Sequence, residues 1–279
     1  MLCSIQIVLC FVYSAGIMYR NYISTNKTYK YYYSIFARDE VPNWSLPSTV
    51  NVKLFVEPTI DEDRDFGSDS VGFVATTEVQ PNTVVKAGGL NVGSKGALSF
   101  TEGVAVETED LGVKGNVKSE SAAIVAKDVG VKGTMSLEMN STLETVELRS
   151  DPEGIISVSQ SEMKIEVMAM KGDTVASSAK VESVKATFGK GSESSFEGES
   201  ELVVAEAILD PGSVFTVKEG SSLESVSFTA KSDTAMAISG SSVKSDSLAL
   251  AGDISASSAT LVSNTLDMSG EGSAQMESA

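Results

Sequence analysis

Leu248-Ala249-Leu250-Ala251-Gly252-Asp253-Ile254 is the most telling stretch of the chain, since variants of it return along two thirds of the length. Leu111-Gly112-Val113-Lys114-Gly115-Asn116-Val117 is one, and others lie at 129–135, 168–175 and 266–272. Each places two apolar residues one apart, then a turn, then a second short apolar alternation. The turns fall at Gly96, Gly115, Gly133, Gly154, Gly172, Gly191, Gly212, Asp233, Gly252 and Gly272, in steps of 18 to 21 residues. A fixed period of this size is the mark of a repeat array in which each unit buries its apolar face against its neighbours.

The local pattern says what each unit is made of. Alternation at period two puts aliphatic residues on one side of an extended strand and Ser, Thr, Lys and Glu on the other. The openings Leu143-Glu144-Thr145-Val146, Val181-Glu182-Ser183-Val184 and Leu223-Glu224-Ser225-Val226 follow the same scheme. Glycine suits the corners, where the backbone turns or packs closely, and Ser and Thr close corners through bonds to nearby backbone. No segment shows a sustained apolar repeat at helical spacing. The expected fold is all-β: a single-stranded parallel β-solenoid, right-handed because the coil length wanders, of about ten coils of ~20 residues over 83–279.

Composition removes several chemistries. The 279 residues include no histidine, and the two cysteines, Cys3 and Cys10, both lie in the apolar N-terminal run. Zinc sites of the usual kind, a cysteine nucleophile and a histidine base are therefore not expected, nor is any cofactor. Asp61-Glu62-Asp63-Arg64-Asp65 resembles the start of a calcium loop, but Phe66 and Gly72 stand where such a loop needs glycine and glutamate. It reads as a solvated acidic loop, so no metal site is expected. The net charge of −17 divides as +4 over 1–38, −7 over 39–82 and −14 over 83–279. An acidic surface of this kind repels phosphate, which argues against nucleic acid as a partner.

The ends of the chain carry their own signals. Residues 2–18 are almost wholly apolar, too short to span a bilayer comfortably and suited to a secretory signal with small residues at Ser14, Ala15 and Gly16. The basic residues follow this run, at Arg20, Lys27 and Lys30. An uncleaved anchor would therefore hold the solenoid in the cytosol. The expected organisation is a signal peptide or short anchor at 1–18, a Tyr/Lys-rich, poorly ordered leader at 19–49, N-terminal strands with an acidic loop at 50–82 as a cap or first coil, and the solenoid repeats at 83–279. All seven tyrosines lie at or before Tyr33, and glycosylation patterns begin at Asn26, Asn43 and Asn140. The mature chain is expected to be secreted or displayed at the cell surface, with no membrane span.

Coil length and turn glycines make residues 83–279 resemble the parallel β-helices of the pectin-lyase-like superfamily and of surface adhesins, and more weakly the coils of bactofilins, which polymerise end to end. The resemblance implies a non-catalytic adhesive or structural stalk or scaffold, with a self-assembling filament or a polysaccharide-binding or lyase-like helix as alternatives. The repeated G-G-A-I and F-x-x-N of one adhesin class and the calcium-binding nonapeptide are missing. Within the coils Arg149 with Asp151 is the only arginine–acid pair that resembles a lyase site, and it reads as an exposed corner pair. No enzymatic activity is expected.

Aligning the coils on their turns brings one further pattern forward. Lys95, Lys114, Lys132, Lys171 and Lys190 each precede a turn glycine, and Arg149 lies near the same corner. Stacked at a coil spacing of about 4.8 Å, neighbouring lysines repel by only about 0.9 kcal/mol in bulk water, which is tolerable. Such a basic column is a candidate surface for an acidic glycan; it also discourages sideways strand pairing. The expected partners are thus a glycan or another surface protein, together with end-to-end self-association.

Overall fold

The computed structural model describes residues 17–22, 29–35, 48–55, 57–268 and 273–277. The apolar segment up to residue 16 and the glycosylation patterns at Asn26 and Asn43 lie outside them. The chain winds into a parallel β-solenoid of about eleven turns with a repeat of about 20 residues, and no helix occurs among the described residues.

Each coil contributes two strands of unequal length. Ala105–Val113 and Asn116–Glu120 make one coil, Ala123–Val131 and Thr134–Glu138 the next. Among the described residues the long strands, nine of them nine residues in length, belong to a fifteen-stranded sheet, and the short strands, eight of them five residues in length, to a twelve-stranded sheet facing it. Register is one coil to the next without slip: Val106 lies beside Ile124, and Val117 beside Met135. The apolar pairs of the sequence are the inward residues of these strands, so Leu111 and Val113, Val129 and Val131, and Met168 and Met170 are all buried, whereas the pair of the last coil, Leu266 and Met268, is exposed. Piled coil on coil they form one continuous core. Its aromatic part is centred on Phe215, whose ring lies 4.9 Å from Phe188, 5.5 Å from Phe196 and 6.0 Å from Phe228.

Of the two alternatives for 50–82, the parallel pairing is that of a first coil. Ser48–Phe55 pairs in parallel with Ser70–Phe73, and Thr59–Ile60 with Thr76–Val79. Within the stretch read as a poorly ordered leader, Tyr29–Ile35 pairs antiparallel with Ser48–Phe55, and Ile17–Tyr22 antiparallel with Tyr29–Ile35. These strands extend the larger sheet past its first coil.

The two corners of the coil are built differently. All the repeating turn residues from Gly96 to Gly252 lie at the corner leading from long to short strand. At Gly115, Gly133 and Gly172 glycine is required by close approach: a Cβ there would sit 2.0 to 2.2 Å from a carbonyl oxygen of the preceding coil. Gly191, Gly212 and Asp233 instead adopt positive φ in longer turns. The hydroxyls of Ser192, Ser213 and Thr234, one residue on, donate to the carbonyl three residues back at 2.8 to 2.9 Å. The opposite corner uses left-handed residues of several kinds, such as Ser121, Asn140, Gln160 and Glu199. There a buried serine closes the turn: the Ser200 hydroxyl donates to the Glu197 carbonyl and accepts from the Ala179 amide one coil back.

Candidate functional site

The long strands do not alternate throughout. Ala105–Val113 places Val106 and Thr108 inward, then both Glu109 and Asp110 outward, then Leu111 and Val113 inward again. Two successive outward residues break the period and bend the strand. The cross-coil pairing passes over the fifth residue each time: Thr108 pairs with Ala126 and Asp110 with Asp128, while Glu109 and Lys127 are left out. A skipped pair leaves backbone groups at the bend in need of partners. In the coils that have a hydroxyl at the fourth position, it bonds the carbonyls there. Thr145 Oγ1 donates toward the Lys127 carbonyl of the coil before at 3.0 Å and toward the Glu147 carbonyl at 3.1 Å. Ser183 and Ser245 make the same pair of contacts in their coils.

Stacking these bends produces a groove of 1320 Å³ along the outer face of the larger sheet, running from Lys86 to Asp246. Residues at the third and fifth positions of each long strand form its sides. Val146, Val184 and Val226, read from sequence as part of the aliphatic face, stand in the fifth position and are 44, 61 and 58 % exposed. The bend turns them outward. The signal for this was present: in Leu143-Glu144-Thr145-Val146 the two aliphatics are three apart, an odd spacing that a straight strand would send to opposite faces.

The charges of the groove are partly settled among themselves. Lys86 pairs with Glu107 at 2.6 Å and Lys244 with Glu224 at 3.3 Å, both across one coil step. The carboxylate of Glu107 beside Lys86 pushes that amine above its ordinary pKa. Glu182 lies 2.5 Å from Lys180, whose hydrogen bond holds the carboxyl below its usual range. Glu144 and Glu166 form no ion pair among the described residues. In the five middle coils, from Thr142–Ser150 to Ser222–Ala230, the groove presents Glu144, Glu166, Glu182 and Glu224 against a single lysine, Lys164.

The basic column divides in the structure. Lys114, Lys132 and Lys171 occupy the same place, immediately after a long strand, and their amides bond the coil before. Lys95 and Lys190 lie in longer turns at the same corner. Asp151 and Asp210 hold that place in intervening coils, Lys132 reaches Glu153 at 3.6 Å, and Lys231 pairs with Asp210 at 2.7 Å. Arg149 is inside the strand Thr142–Ser150, where it forms a fork with Glu147 rather than joining the corner. The corner is thus an interrupted row of mixed sign.

The acidic loop has backbone partners of its own: Asp63 Oδ1 accepts from the Val84 amide at 2.8 Å and Asp65 Oδ1 from the Gly67 amide at 2.7 Å. Among the described residues no group of His, Cys, Asp or Glu is placed to hold a metal ion. No helix there is long and apolar enough to cross a membrane. No protein-family model, curated protein or solved structure matches this chain.

Proposed function

We propose that this chain is a secreted or cell-surface β-solenoid that serves as an adhesive or structural scaffold and carries out no catalysis. The observation behind this reading is the unbroken register of the two sheets, which repeats the same outward positions at every coil. Side chains so placed form columns several coils long, suited to contacts spread along a surface rather than to chemistry at one point. Cross-coil ion pairs such as Lys185–Glu206 and Lys218–Glu197 run along the same columns. Labelling intact cells of the source with an antibody to the solenoid tests the reading. Staining before permeabilisation is expected; staining that needs permeabilised cells overturns the surface assignment.

A second reading, an acidic glycan on the lysine corner, has one observation in its favour. Lys95, Lys114, Lys171 and Lys190 make no ion pair among the described residues, so their charges remain available at one edge of an acidic rod. Heparin or polyuronate binding should fall on reversing Lys114, Lys132 and Lys171 to Glu. Binding that does not change removes this reading.

A further inference from the structure

The groove on the larger sheet combines two features that oppose each other in water. It exposes aliphatic side chains in a concavity, which favours covering them, and it gathers carboxylates in the same five coils. From Val146 to Val226 the exposed valines stand next to Glu144, Glu166, Glu182 and Glu224; Glu182 and Glu224 have lysine partners, while Glu144 and Glu166 have none among the described residues. An occupant that covers the valines must also carry positive charge, or it leaves Glu144 and Glu166 desolvated without partners.

Shape narrows the occupant further. The groove is long and follows the stacking axis, about 38 Å over eight coil steps at the usual strand spacing. Its lining contains no aromatic ring, so it offers no platform for stacking a sugar. An extended polypeptide advances about 3.3 Å per residue, so a segment of about eleven or twelve residues fills this length. Its alternate side chains point to opposite faces, so one row reaches the largely aliphatic wall of fifth-position residues, Val146, Val184, Ala205 and Val226, while the next approaches the largely acidic third-position wall, Glu144, Glu182 and Glu224.

We propose that this groove docks an extended cationic peptide segment, in which lysine or arginine alternates with small aliphatic residues. The aliphatic row lies on Val146, Val184 and Val226 and the basic row meets the opposite wall at Glu144; in these five coils Glu144 and Glu166 are the lining carboxylates that form no ion pair among the described residues. This deepens the scaffold reading by naming what the rod holds. It is measured on the purified chain, so its outcome is separate from that of the cell-surface labelling.

The test is fluorescence anisotropy with the full chain and labelled peptides of about twelve residues, in physiological salt. The probes alternate lysine with valine, lysine with serine, and glutamate with valine; an oligouronate is the fourth. The lysine–valine peptide is expected to bind, and the lysine–serine and glutamate–valine peptides to bind at least about tenfold more weakly. Glu144→Lys with Glu166→Lys, and separately Val184→Ser with Val226→Ser, should each weaken binding about tenfold. All four side chains are exposed or at the surface of the groove, and circular dichroism checks that the variants fold. An off-groove double reversal, Glu102→Lys with Glu193→Lys, should leave the affinity unchanged. Equal binding of the lysine–serine peptide, or equal loss from the off-groove reversal, means general attraction to an acidic rod and overturns the proposal. So does tighter binding of the oligouronate, or no binding of the lysine–valine peptide.

Discussion

Thr174 and Ser194 show how strictly a stacked core treats a single side chain. They are the inward second residues of adjacent short strands, 1 and 2 % exposed, in a column whose next members are Ile156 and Phe215. Neither hydroxyl has a hydrogen-bond partner. Elsewhere in the solenoid buried hydroxyls are used, as where Ser200 and Thr145 satisfy backbone groups at corner and bend. An unpartnered hydroxyl in an apolar column costs its desolvation with no return. Thr174→Val keeps the shape and removes that cost, so it should raise stability by about 1–2 kcal/mol, read as a higher denaturant midpoint. A midpoint that falls would mean that the hydroxyl has a partner in solution, such as a bridging water. At the same scale, Asp253 accepts from both the amide and the hydroxyl of Ser273 at 2.9 Å, which holds its carboxyl below the ordinary value. A lowered pKa means the contact is complete above the ordinary carboxylate value and lost as pH falls through the lowered one. Hydrogen exchange at the Ser273 amide, corrected for intrinsic rates, should therefore lose protection on acidification through that range.

At the scale of the coil, the corner after the long strand sets how closely one turn can lie on the last. Glycine there is a matter of space: at Gly133 a Cβ would meet the Gly115 carbonyl oxygen at 2.0 Å. Gly133→Ala forces two coils apart and should cost about 1–3 kcal/mol, the range for inserting a methyl group into tight packing. Gly130, three residues earlier in the strand Ala123–Val131, has nothing within 4 Å of a Cβ. Gly130→Ala should leave stability unchanged or raise it, since alanine has less freedom to lose in a strand. Equal losses from the two substitutions would sink the packing account. The regular glycine spacing made this corner legible in the sequence. The bend in the long strand was much less so, because one misplaced outward residue looks like noise until it recurs in every coil at the same depth.

For the whole molecule the balance of charge matters more than any one pair. Ion pairs between coils, such as Lys86–Glu107, Lys118–Glu138 and Lys231–Asp210, lie in water and each contributes little. Against them stands a net charge of −17, repelling along the rod. Salt screens the long-range repulsion before it screens partners in contact. The melting temperature should therefore rise as sodium chloride increases from low to physiological strength and beyond. A fall would show that the cross-coil pairs outweigh the repulsion. Cross-coil pairing also helps hold the register: sliding a coil by one residue would part Lys86 from Glu107 and send every buried aliphatic to the outer face.

Period and polarity were sufficient by themselves to determine that the chain is all-β, that it coils about every 20 residues, and which aliphatic pairs are buried up to Leu248 and Leu250; the last pair, Leu266 and Met268, is exposed. These are local properties, repeated in each unit, and repetition makes a weak signal readable. Three things were decided only when the coils were stacked. Ile17–Tyr22 and Tyr29–Ile35 join the larger sheet through antiparallel pairing that ends on Ser48–Phe55. Arg149 leaves the lysine corner for Glu147. Val146, Val184 and Val226 line an open groove instead of the core. Each depends on where one coil's backbone meets the next, and that contact is separated by a full turn of chain from anything a short window of sequence contains.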